Sequence, residues 1–155
     1  MHLAKQKRSP HVLILTAPYF DETAVVTCVS MLRKAGYAVV LVNNRSVMAI
    51  GTYGITIQAD ITLGQTEQVA IDRCKLLIIA GGQKPAAKNL SDPRTHQLIK
   101  QILESGGAIA IMTNAYAVAV ETGVLTEEYA HHIYKQGQQE TAVFVQQLIN
   151  LITAV

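Results

Sequence analysis

The stretch GGAIAIMTNAYAVAV, residues 106–120, holds an arrangement shaped for nucleophilic chemistry. A short apolar strand pattern runs into an alanine-rich helix pattern, with the polar pair Thr113 and Asn114 at the junction. A sharp strand-to-helix turn exposes the side chain at its apex, and for that reason such turns carry nucleophiles. A threonine hydroxyl is weak in that role and needs an adjacent base. The histidines are His2, His11, His96, His131 and His132. His2 falls in the N-terminal tail and His96 on a helix pattern. His11, His131 and His132 open strand patterns, so in a parallel sheet they sit at the end opposite the turn. None is placed as a base for Thr113. The simpler role for Thr113 is a hydroxyl that caps the following helix. Asn114 has the same reading, with a second as a donor to a ligand.

Other chemistry-bearing residues are sparser. Gly81-Gly82 closes an apolar run and has two readings: backbone N–H groups offered to an anion or oxyanion, or a tight strand-to-helix turn. Lys84, just beyond, reads as a solvated charge. Cys28 falls in mid-helix and Cys74 at the start of an apolar strand, so both are expected as buried, unpaired thiols of a reducing, cytoplasmic protein. The spacing C-x-x-C is absent, and His131-His132 on a strand would point to opposite faces, so no metal site is expected. TAPYFDET, after the first apolar run, has no glycine, which excludes the G-x-G-x-x-G dinucleotide loop. A P-loop is absent as well, and no cofactor is expected. The run KLLIIAGG lacks the terminal Asp of a receiver domain.

These residues must be positioned by a single domain, because the chain has 155 residues. Charged residues make up only 15%, so much of the surface is weakly polar and favours association. A homo-oligomer or a subunit of a complex is expected. The net charge of +2 is uneven, since Lys5, Lys7 and Arg8 crowd the first ten residues. Without them ten basic residues face eleven acidic ones. Residues 1–10 read as a solvated basic tail and 11–155 as the domain. No basic stripe marks nucleic-acid binding, and no segment is long and apolar enough to span a bilayer.

The patterns alternate. Strands are read at 11–18, 37–44, 75–82, 108–113 and 131–136. Helices are read at 21–36, 91–107, 114–123 and 139–155. Asp21 and Glu22 open the first helix, and Asp92 with Pro93 opens the second. Residues 54–64 alternate with period two, as an exposed strand or two short ones. Apolar strands alternating with helices give a doubly wound α/β sandwich around a mainly parallel sheet. Ligands bind such sheets at the carboxyl ends of the strands.

Four blocks in order carry a resemblance. They are VLILTAPYFDETAVVTCVSMLRKAGYAVVLV, GTYGITIQADITLGQ, LLIIAGGQKPAAKNLSD and GGAIAIMTNAYAVAVETGVL. The chain resembles the PfpI/ThiJ (DJ-one) superfamily over residues 11–125 and 131–153. The resemblance implies a flavodoxin-like three-layer sandwich of the class I glutamine-amidotransferase type, with helices on both faces. It also implies a reactive cysteine at the turn and a glutamate early in the first helix whose carboxyl meets it. Here the cysteine position is Thr113 and the glutamate position is Ala24. Ala80 replaces the proline usual before Gly81-Gly82. Only TEEYA separates Leu125 from the last strand, where the family normally has a few tens of residues. The expectation is a shortened, catalytically degenerate member that serves as a binding or structural subunit. The alternatives are a hydrolase, deglycase or amidase-like enzyme built on Thr113, Glu22 and the Gly81-Gly82 loop, or a sensor of a small anion.

Overall fold

The computed structural model describes residues 11–154, so the basic tail at 1–10 lies outside the described residues. Strand β1 (Val12–Thr16) is followed by α1 (Glu22–Lys34), β2 (Val39–Asn43), β3 (Met48–Ile50), β4 (Thr56–Gln58) and β5 (Ile61–Thr62). Two 3-10 turns lead to β6 (Leu76–Ile79), α2 (Gln83–Leu90), α3 (Pro93–Glu104), β7 (Ala108–Ile111) and α4 (Tyr116–Glu121). A 3-10 segment, Glu127–His132, precedes β8 (Ile133–Lys135) and α5 (Thr141–Thr153).

Six strands form one sheet in the order β5-β2-β1-β6-β7-β8, and every pairing is parallel. Strands of such a sheet are covered on both faces, so their residues are apolar without a break. Successive side chains still part company. Val12, Ile14, Leu76 and Ile78 join the core under α1 and α5, while Leu13, Leu15, Leu77 and Ile79 join the core under α2, α3 and α4. In β7 the division is by size: Ala108 and Ala110 face the first layer, Ile109 and Ile111 the second. This is the doubly wound, three-layer α/β architecture expected.

The helix signals hold. Asp21 caps α1 by accepting the Ala24 N–H at 3.1 Å, and Arg33 and Lys34 occupy its last turn. Asp92 caps α3 by accepting the Arg94 N–H at 2.9 Å, with Pro93 first in the helix. Helix α2 has no counterpart among the helices expected. The alternating run 54–64 resolves into β4 and β5. Strand β4 pairs antiparallel with β3, a strand the sequence did not reveal, in a hairpin separate from the main sheet. His131 and His132 are not on a strand. They close the 3-10 segment, and their rings meet tilted by 48° with centroids 4.1 Å apart.

Candidate functional site

Strand β7 ends at Ile111, and the chain turns through Thr113–Ala115 into α4. The positive φ in this turn, 69°, belongs to Asn114, a residue type that tolerates the left-handed region. The turn therefore costs less than it would with Thr113 in that conformation. Thr113 is held on three sides. Its N–H donates to Oε1 of Gln136 at 3.0 Å, and its hydroxyl donates to the Gly137 carbonyl at 3.0 Å. Its own carbonyl accepts the Gly82 N–H at 3.3 Å. The expected capping role is not observed, because the cap position of α4 is Ala115, with no side-chain bond. The hydroxyl is drawn instead to the loop after β8.

The partner in this arrangement, Gln136, was not foreseen. It is buried at the carboxyl end of β8, where ligands and site residues collect in such sheets. Its Nε2 donates to the Gln139 carbonyl at 3.0 Å and to Oγ1 of Thr141 at 3.2 Å. One amide side chain thus ties the elbow to the start of α5. Its position just past a strand was the available signal, but which backbone it would meet depended on tertiary packing.

The Gly81-Gly82 loop lies against the elbow. A Cβ on Gly81 would sit 2.8 Å from the Thr113 carbonyl oxygen. Gly82 has φ 104° and caps α2 without a side chain. The N–H groups of Gln83 and Lys84, in the first turn of α2, find no acceptor among the described residues. Ala80 donates its N–H to the Leu15 carbonyl at 3.0 Å, a bond that proline cannot make.

A cavity of about 370 Å³ opens between these segments. Thr113, Asn114, Gly81, Gly82 and Ala24 line it, together with Tyr19, Asp21, Thr52, Met112, Gln136 and Thr141. Thr113 and Ala24 therefore face one space. Tyr19 is a bulky residue with φ 71°, held by its N–H to the Ile50 carbonyl at 2.8 Å, and it stands at the mouth 59% exposed. Strain of this kind costs about 1–3 kcal/mol and collects at ligand sites. The Lys84 ammonium sits 6.0 Å from the Tyr19 ring centroid. A cavity of about 580 Å³ on the α3 side is larger, but Glu67, Asp72 and Glu104 line it and it lies away from the elbow and the Gly81-Gly82 loop, so size does not place the site.

Glu22 does not line the elbow cavity. Its side chain is buried and turned towards the β3–β4 hairpin, where it accepts N–H bonds from Tyr53 at 2.8 Å and Ile55 at 3.0 Å. Burial works to raise its pKa, but backbone hydrogen bonds from Glu22, Ile55, Tyr53 and Thr52 outweigh it and hold the carboxyl below 4.5. A Cβ on Gly51 would lie 2.0 Å from the Glu22 carboxyl carbon, so only glycine lets the loop close over it. Glu22 anchors the hairpin. It is turned away from Thr113, unlike the base that an enzyme built on these two residues would need.

The cysteines offer no replacement. Desolvation pushes Cys28 up to about 12 and Cys74 up to about 11, so neither is a thiolate at neutral pH. His11, His131 and His132 precede β1 and β8 at the amino ends of a parallel sheet, opposite the elbow. The ring of His96 is engaged at the Leu90 carbonyl. No group of three or more His, Cys, Asp or Glu able to hold a metal occurs among the described residues. None of the described helices is long and apolar enough to cross a membrane.

A parallel sheet with a Gly-Gly loop and a strand-to-helix elbow at its carboxyl edge defines a flavodoxin-like α/β protein. A profile of the DJ-1/PfpI family matches residues 10–142, and the chain belongs to that family. Among its relatives, a deglycase of Pyrococcus abyssi is 24% identical over 114 residues, and a deglycase of Thermococcus kodakarensis is 23% identical. The matched stretch is 74% of this chain and 66% of each relative's own length. Among solved structures, oxidized Toxoplasma gondii DJ-1 superposes with a TM-score of 0.78 at 18% identity, covering 92% of this chain and 90% of its own. Drosophila melanogaster DJ-1beta gives 0.76 at 15% identity, covering 97% and 92%. At these identities the likeness is one of fold.

Proposed function

We propose that this chain is a non-catalytic member of the DJ-1/PfpI family, a binding subunit whose elbow cavity takes a small anionic metabolite. The observation that carries this reading is the engagement of Thr113: its N–H, hydroxyl and carbonyl are all bonded to protein, and its hydroxyl bonds to no histidine or carboxylate among the described residues. Ala24 leaves the partner carboxyl position empty of chemistry. The free N–H groups at the start of α2, with Lys84 nearby, support an anionic ligand, since a helix N-terminus favours negative charge. Asp21, the carboxylate lining the cavity, is already engaged in capping α1. The protein and a Thr113→Ala variant are to be compared on glyoxal-type and amide substrates. Equal, background turnover is expected, and Thr113-dependent turnover overturns the proposal.

A second reading, a deglycase-like enzyme with a different residue set, is favoured by the names of the two matched relatives. The same comparison decides between the two.

The subunit is proposed to self-associate through the β3–β4 hairpin. Met48, Ile50, Tyr53 and Ile55 are all at least half exposed there, and Tyr53 is 80% exposed. An isolated two-stranded hairpin is marginal in water, so apolar groups displayed on one need cover. A single domain at 11–155 behind a basic tail is part of the proposal, supported by core layers that run from β1 to α5. Two buried, unpaired cysteines support a reducing compartment, proposed as the cytoplasm.

A further inference from the structure

A second cavity, of about 450 Å³, opens at the amino ends of β6 and β7, across the sheet from the elbow. Its volume is within the range of small-molecule sites. Arg73 and Lys75 stand exposed at its rim, with His132 and Tyr134 half-buried beside them. None of these four side chains makes a hydrogen bond or ion pair with another described residue. Asp72 is the carboxylate that lines the space, which leaves one net positive charge among Arg73, Lys75 and Asp72.

The back wall is apolar: Ala108 and Ile152 are buried there, and Leu151 is half-buried. Helix α3 ends at this cavity, and a bare helix C-terminus would repel an anion. Three of its last-turn carbonyls are covered, because the N–H groups of Ser105, Gly106 and Gly107 donate to Gln101, Leu103 and Ile102. The Arg73 and Lys75 side chains make no hydrogen bond to the helix end.

We propose that this cavity is a second ligand site, for a single-headed anion carrying a short aliphatic chain, of the medium-chain carboxylate type. Arg73 and Lys75 would hold the carboxylate, with Tyr134 and His132 as further donors. The chain would lie on Ala108, Leu151 and Ile152 and be removed from water. This site is independent of the elbow, so neither proposal depends on the other.

The test is an NMR titration of the whole chain with acetate, butanoate, hexanoate and octanoate below the micelle range, with octanamide as the uncharged control. Affinity should rise about fourfold per methylene between butanoate and octanoate. The responding amides should be Gly106, Gly107 and Ala108. The double variant Arg73→Gln/Lys75→Gln changes exposed side chains only and should weaken octanoate by about fivefold, while octanamide should bind less tightly than octanoate. Affinity that ignores chain length overturns the proposal. So does a response centred on Gly81 and Gly82, equal binding of octanamide, or an unchanged double variant.

Discussion

Thr113, which we propose stands at the family's cysteine position, has each of its polar groups bonded to a neighbour. The surroundings can be interrogated with a thiol. In a Thr113→Cys/Ala24→Glu variant, iodoacetamide should label position 113 first, as peptide mapping would read. Cys28 and Cys74 should stay unmodified in the folded protein, since burial holds them near 12 and 11. Labelling of Cys28 ahead of position 113 would contradict this account of the elbow. Glu22 gives a pH prediction. Its folded carboxyl is more acidic than its unfolded one, so in acid the unfolded chain binds more protons and stability rises with pH. The contribution is complete above about 4.5, the unfolded value, and is lost as pH falls through the lower folded value. Urea midpoints from pH 3 to 7 should show a shallower acid limb for Glu22→Gln than for the native chain.

The β3–β4 hairpin is positioned by that carboxylate together with the Tyr19–Ile50 and Thr52–Phe20 backbone bonds and the burial of Ala49. Gly51→Ala places a methyl group on the Glu22 carboxyl and should cost about 1–3 kcal/mol in urea unfolding. Hydrogen-exchange protection should fall first at Tyr53 and Ile55, whose N–H groups Glu22 accepts. Elements differed in how far their sequence announced them. Strands β1, β2, β6 and β7 were legible because burial on both faces demands unbroken apolar runs. Helices α1 and α3 were legible through their caps. Strand β3 has three residues, too few for a period to register. Helix α2 reads QKPAAKNL, and its Pro85 argues against a helix until it is seen in the first turn, where no N–H is required. Thr113, Ala24 and Gly81-Gly82, singled out by motif order, line one cavity. Gln136 and Tyr19 were not legible, since one acts through a loop distant in sequence and the other through a backbone conformation.

At the scale of the molecule, the parallel sheet separates two ends of different character. The carboxyl end carries the elbow, its cavity and the apolar hairpin beside it. Tyr19 and Thr52 line the cavity while their neighbours Ile50 and Tyr53 face outward, so cover on the hairpin would also narrow the cavity mouth. If the chain self-associates as proposed, Tyr53→Lys combined with Ile55→Lys should give a monomer in sedimentation velocity, with circular dichroism unchanged. A native chain that is monomeric at every concentration would remove the self-association proposal. The central claim is that this frame binds without turning over. Its most direct measurement is the rate of glyoxal consumption by the native chain set beside Thr113→Ala under identical conditions. Indistinguishable background rates are predicted, and a native rate that falls when Thr113 is removed would contradict the account.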